Sequence, residues 1–167
     1  MYMGHFGIAL GVRRWLRPAP LAWLLFVSVE PDLRDALGSV VPWFGAGPPS
    51  HTIPAFALEA AVILLISLVA FRSWTIALGS AALLFSHFPA DLLTSRLLLW
   101  SHGPVAGLHL YAHHVVDFLM EAFVVAVGLY SYSKSPDIRR PACNGLAVML
   151  LVMLALQAVW DFGIGAG

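Results

Sequence analysis

The sequence predicts an all-α fold, a polytopic bundle of membrane-spanning helices with about four full spans preceded by two short N-terminal helices. Three observations predict it. Of 167 residues, 60% are apolar and only 11% are charged, against about 25% charged in a soluble domain that must face water. Mean hydropathy is +0.84. Two apolar runs approach or exceed the ~20 residues needed to cross a bilayer, a third and a fourth follow them, and basic residues collect in alternate linkers. The length suits one integral membrane domain over residues 1–167.

Residues 6–12 and 20–29 are apolar but each too short to cross alone. They read as two short or half-buried helices around an arginine-rich turn carrying Arg13, Arg14 and Arg17. Backbone at that depth must be covered by protein. These arginines before an apolar stretch resemble a secretory signal, but no small-x-small cleavage site follows, so the segment is expected to be retained. The first long run is residues 53–71. The second begins at Trp74 and continues to about Trp100, interrupted by His87, Pro89 and Asp91. The third spans residues 115–132, with Asp117 and Glu121 near its start, and the fourth residues 146–160, polar only at Gln157. Pro89 has no N–H for the carbonyl of Phe85, which predicts a kink. The linkers at residues 38–50, 101–107 and 133–141 are Gly/Pro-containing or polar.

Cationic side chains orient the bundle. If each segment crosses or dips and returns, Arg13, Arg14, Arg17, Arg72, Lys134, Arg139 and Arg140 fall on one side and only Arg34 and Arg96 on the other. That places the arginine-rich turns in the cytoplasm and residues 30–52 and 96–109 on the outer face, the periplasmic side of a bacterial inner membrane. The formal net charge is zero, which offers no field for nucleic acid. The single cysteine, Cys143, excludes an internal disulfide, and the absence of CxxC excludes a Cys-rich metal site.

With this topology all seven histidines fall toward the outer face, although they were not used to choose it. His5 opens the first short helix, Asp32 and Asp35 follow the second, and His51 precedes the first long span. His87 and Asp91 are spaced i,i+4 and share a helix face with Thr94. His113, Asp117 and Glu121 form an i,i+4,i+8 row. Ionisable residues at membrane depth are costly and mark function. Neutral imidazole together with carboxylate is the ligand chemistry of zinc and similar divalent ions.

These residues resemble a known pattern. The chain is similar, over about residues 3–132, to the YdjM-like family, described as membrane-bound metal-dependent hydrolases. That pattern is an early His, a Pro-Asp-x-Asp-His box, a Thr/Ser-His pair and Ser-His-x-x-x-Asp-x-x-Thr. Here it reads as His5, Pro31-Asp32-Leu33-Arg34-Asp35, Ser50-His51 and the intact Ser86-His87-Phe88-Pro89-Ala90-Asp91-Leu92-Leu93-Thr94. The resemblance implies His5, Asp32, His51, His87 and Asp91 as ligands of a divalent metal, zinc by its chemistry, with Asp35 as general base. It implies hydrolysis of a phosphoester, in a lipid or envelope precursor. Two positions depart: Arg34 stands where the family has its second Asp, and Asp35 where it has His. A divergent member with one metal, or one without activity, fits that change.

Plainer readings stand beside each. Asp32 can end a helix, Ser50 can cap one, and His87 with Asp91 can be a buried pair joining helices. Glu59 and Glu121 are expected to pair inside the bundle, Glu121 behind the site. The size permits a non-catalytic accessory subunit of a larger membrane complex, with residues 146–160 as a docking surface. A haem- or pigment-binding electron-transfer subunit would need His87 with His113 or His114 as axial ligands.

Overall fold

The computed structural model describes residues 1–41, 51–136 and 143–164. Ser50, Arg139 and Arg140, used in the sequence argument, lie outside these. The elements are α1 (Met3–Val12), α2 (Leu21–Val40), α3 (Ile53–Phe71), α4 (Trp74–Phe85), α5 (His87–Thr94), a small hairpin of β1 (Leu97–Leu98) and β2 (Val105–Ala106), then α6 (His114–Ser133) and α7 (Cys143–Val159). The segments Ile53–Phe71, Trp74–Thr94, His114–Ser133 and Gly145–Gly163 are each long and apolar enough to cross a membrane, the pattern of a multi-pass membrane protein.

Each interruption in these helices has a cause. α4 ends at Phe85 and α5 starts at His87 because Pro89 cannot donate to the carbonyl of Phe85. Ser86 marks the joint, its hydroxyl donating to the carbonyl of Leu83 at 2.6 Å, and Pro89 then sits in the first turn of α5, where a missing N–H costs nothing. α2 is longer than its apolar run: it continues through a buried Pro31 to Val40, 20 residues in all. Thr52 caps α3, accepting from the N–H of Ala55 at 3.4 Å. The hairpin closes one end of the bundle: Ile53 N donates to Leu99 O (3.0 Å) and Leu108 N to Leu92 O (2.8 Å). Gly107, at φ +130°, makes the close turn there; a Cβ would lie 2.0 Å from the Ser95 carbonyl oxygen.

α1 is only 10 residues, about 15 Å, and packs chiefly on α6. Gly7 and Gly128 let the two backbones meet: a Cβ on Gly128 would lie 2.0 Å from the Gly7 oxygen. The pairings run in parallel. Gly4 meets Glu121 (2.9 Å), Gly7 meets Val124 and Val125, and the Gly11 carbonyl accepts from Ser131 (3.1 Å). The ends of α1 and α6 that lead to Arg13 and Lys134 therefore lie together. Trp23, near the start of α2, meets Phe71 at the end of α3 (5.6 Å between centroids), so Arg72 joins the same end. The described cationic turns thus gather at one end of the bundle, as the sequence predicts, and the site described below lies at the other. Leu24, Val27, Phe56, Ile63, Ile76, Leu83 and Leu84 fill the core between α2, α3 and α4; Leu10, Val125, Leu129 and Met153 fill a second one under α1.

Candidate metal centre

Pro31 shapes the first wall of the site. Within α2 it removes a backbone donor and loosens the preceding turn. In that turn the carbonyl of Ser28 accepts the Nδ1–H of His87 at 3.0 Å. This bond commits the Nδ1–H of His87 and turns its Nε2 inward. Nε2 is buried, has no hydrogen-bond partner, and faces Asp91 Oδ2 at 3.1 Å and Asp32 Oδ1 at 3.5 Å. Asp91 is one turn along α5 from His87, as the i,i+4 spacing predicts, and is buried.

His51 closes the group. Because Thr52 does the capping of α3, the ring of the preceding residue is directed to the site. Its Nε2 lies 3.3 Å from both Asp32 Oδ1 and Asp91 Oδ2, and its Nδ1 lies 3.0 Å from Asp35 Oδ2. Burial alone would lower the pKa of His51, but its hydrogen bonds to Asp32 and Asp91 outweigh that and push it up to about 10. One ligand atom each from Asp32, His51, His87 and Asp91 lies within 4.8 Å of the others. Imidazole lone pairs and carboxylate oxygens pointed at one small volume repel one another unless a positive charge sits among them. The Met1 ammonium supplies part of that charge to Asp91; the rest is a proton or a metal ion, and the four residues can hold the ion.

The two remaining sequence-predicted residues reach the group indirectly. His5 is buried and contacts Asp91 Oδ1 through Nε2 at 3.1 Å, so Nε2–H is the donor. Its ring stacks on that of His87 with centroids 3.6 Å apart. Asp35 touches the site through His51 Nδ1 and is half exposed. Arg34, the departure from the family pattern, turns away to an ion pair with Glu59 on α3, which neutralises its charge outside the cluster and gives Glu59 the internal partner that the sequence predicts.

Several participants carried weak sequence signals. The amino group of Met1 donates to Asp91 Oδ1 (2.7 Å), Thr94 Oγ1 (2.9 Å) and the hydroxyl of Tyr111. Thr94 was marked by its spacing. Tyr111 stands in a short 3₁₀ turn, Leu110–Ala112, and nothing in the sequence distinguishes it. Glu121 was marked by its depth. Its carboxylate accepts from Tyr2 N (3.0 Å) and Gly4 N (2.9 Å), which satisfies orphan donors at the start of α1. Gln157 adds an acceptor for Met3 N at 3.2 Å and donates to Asp161 at 2.9 Å. Asp117, one turn before Glu121, is buried with Glu121 and Asp161 as charged neighbours.

Of the seven histidines, His5, His51 and His87 converge. His102 and His109 sit at positive φ in the loop after α5, His113 precedes α6, and the His114 ring lies 6.3 Å from that of Phe162. Comparison with protein-family models, with curated proteins and with solved structures finds no match to this chain.

Proposed function

We propose that this chain is a divergent YdjM-like, metal-dependent hydrolase of a bacterial inner membrane, its site facing the outer side and acting on phosphoesters. The observation that carries the reading is Nε2 of His87: buried, oriented by the bond from Nδ1 to Ser28, and aimed between two carboxylates. A buried ring nitrogen facing carboxylates costs stability unless a positive charge lies between them, and a metal ion there removes that cost. Two imidazoles and two carboxylates from separate segments match the N/O ligand set of zinc, whereas calcium or magnesium favours oxygen alone.

When bound, zinc supplies a Lewis acid for a phosphoryl oxygen and a water acidic near neutral pH. The protein residues divide the remaining work. Asp91 is shared between His87, His51 and His5. Through that contact His5 positions Asp91 rather than adding a donor of its own. Asp35 orients His51 through Nδ1, the usual arrangement of a carboxylate behind a ligating imidazole. It is also the half-exposed carboxylate of the group, which suits it to accept a proton from the attacking water. The ion pair of Arg34 with Glu59 removes the objection that a cation stands inside the site.

Elemental analysis of the purified protein beside Asp91→Ala and His87→Ala tests the reading. Near-stoichiometric zinc in the parent, lost in both variants, is expected. No metal in the parent after incubation with zinc would refute it and leave a proton in that place. Asp35→Asn is expected to keep the metal and lose most phosphoester turnover. A second reading, a subunit of a larger membrane complex, is favoured by one observation: the outward apolar face of α7, where Val148, Leu151, Val152 and Leu156 are exposed.

A further inference from the structure

We infer that the substrate is a membrane lipid with a phosphoester head group, whose chain lies in the groove between α1 and α2; the inference rests on the hydrolase reading above. Two concavities meet at the site. One is the polar cleft over the cluster, bordered by Tyr2, Asp32, His51, Asp91 and Tyr111. The other is a groove walled by Met3 and Phe6 of α1 and by Val29, Leu33 and Ala36 of α2. Tyr2 and Asp32 border both, so a molecule lying in the groove meets a metal-ligand candidate at its end.

The arrangement on α2 follows from spacing. Residues 29, 32, 33 and 36 fall at i, i+3, i+4 and i+7, one helix face, and of these only Asp32 is polar. Further along, Leu33, Leu37 and Val40 are exposed on the outer half of α2, so the groove opens onto apolar surface. A water-soluble phosphoester such as a nucleotide or sugar phosphate would find no donor or acceptor along these walls. A hydrocarbon chain needs none and packs against them methylene by methylene, and from water each buried methylene is worth a factor of about four in affinity. A lipid already in the bilayer enters without that gain. For it the groove supplies position, setting the head group at Asp32 and the cluster.

The test uses the zinc-loaded full chain in phosphatidylcholine nanodiscs and a hexadecyl phosphonate bearing a diazirine on its chain, a probe that cannot be hydrolysed. Photolabelling is expected to concentrate on peptides holding Phe6, Leu33 and Ala36, at least tenfold above the lipid-facing peptides of α7. Excess unlabelled hexadecyl phosphonate should compete it away, and butyl phosphonate should not. Ala36→Trp, which fills the groove, should reduce the labelling to the α7 level with zinc content kept. Val69→Trp, on the exposed face of α3, controls for folding and should keep the labelling. Even labelling across the lipid-facing helices, or undiminished labelling in Ala36→Trp, would overturn the groove while metal content leaves the hydrolase reading standing. Absence of zinc from the parent would overturn the hydrolase reading, and this inference would fall with it.

Discussion

α1 and α7 are both apolar helices, and by length and composition α7 is the better membrane span. Their packing is the reverse of that ranking. α1, 10 residues long, buries Gly4, His5, Gly7, Ala9 and Leu10. α7, 17 residues long, buries Met153 and Gln157 and turns Val148, Leu151, Val152, Leu156 and Val159 outward. In a bilayer the lipid is as apolar as leucine, so hydrophobicity decides which helices enter but not which ones touch. Contact is decided by small residues that admit a backbone and by polar atoms that need a partner. α1 has Gly7 against Gly128 and its first N–H groups on Glu121. α7 has Gln157.

The sharpest way to break this comparison is to close the space at Gly128. Gly128→Leu puts a side chain where a Cβ already falls 2.0 Å from the Gly7 oxygen, backbone that cannot swing aside. We expect a cost at or above ~3 kcal/mol, the upper range of overpacking, seen as loss of the cooperative thermal transition in detergent and loss of metal as His5 and Asp91 part. A variant that melts like the parent and keeps its zinc would show that the α1–α6 contact does not hold the site.

Next in size is the polar half of the same contact. Glu121→Leu strands the N–H groups of Tyr2 and Gly4, and unsatisfied buried donors cost ~1–3 kcal/mol each. We expect a total of about 2–6 kcal/mol and weaker zinc retention. Glu121→Gln keeps an oxygen acceptor and is expected to lose about half as much, which separates the cap from mere volume. Equal losses in the two variants would assign the effect to charge instead.

A smaller effect distinguishes the site's end of the bundle from the apolar helices by its pH dependence. In metal-free protein, His51 is held above its ordinary value, at about 10, by Asp32 and Asp91, whereas unfolded histidine titrates near 6.5. Its contribution is therefore fully present below about pH 6.5, shrinks as pH rises, and is gone above about 10. The melting temperature of chelator-stripped protein should fall over that window. Zinc-loaded protein should hold its melting temperature there, because deprotonated ligands bind metal more tightly. A flat profile for the stripped protein would refute the shared proton.

How much of this was legible before the structure depends on what each residue answers to. Spans were legible because length and apolarity are properties of a segment: residues 53–71 match α3 end for end, and Pro89 marked the break at Ser86. The pairing of His87 with Asp91 was legible from helical period. The reach of α2 to Val40 was not, since the charged residues after Val29 read as the end of a helix when they are in fact its site-bearing face. Nor was the work of Arg34: its partner Glu59 lies on another helix, and a pattern taken along the chain places a cation in the cluster that the fold turns away. Tyr111 illustrates the limit, an ordinary loop tyrosine until three segments converge on it.

The smallest expected effect bears on what covers α7. Leu151 and Val152 are 66% and 53% exposed, so in an isolated chain their truncation deletes contacts with lipid or detergent alone. Leu151→Ala with Val152→Ala should then change stability by no more than ~0.5 kcal/mol and leave zinc content unaltered. Gln157→Leu, one to two turns away on the same helix, should cost more, because Gln157 bonds both Met3 and Asp161. Thermal unfolding of the protein as extracted from its native membrane checks the pair. If the double truncation destabilises that preparation as much as Gln157→Leu does, but has no effect on protein stripped to a single chain in detergent, the outward face of α7 is packed against another protein. The chain would then be a subunit of a larger complex, and α7 its docking helix rather than a lipid-facing span.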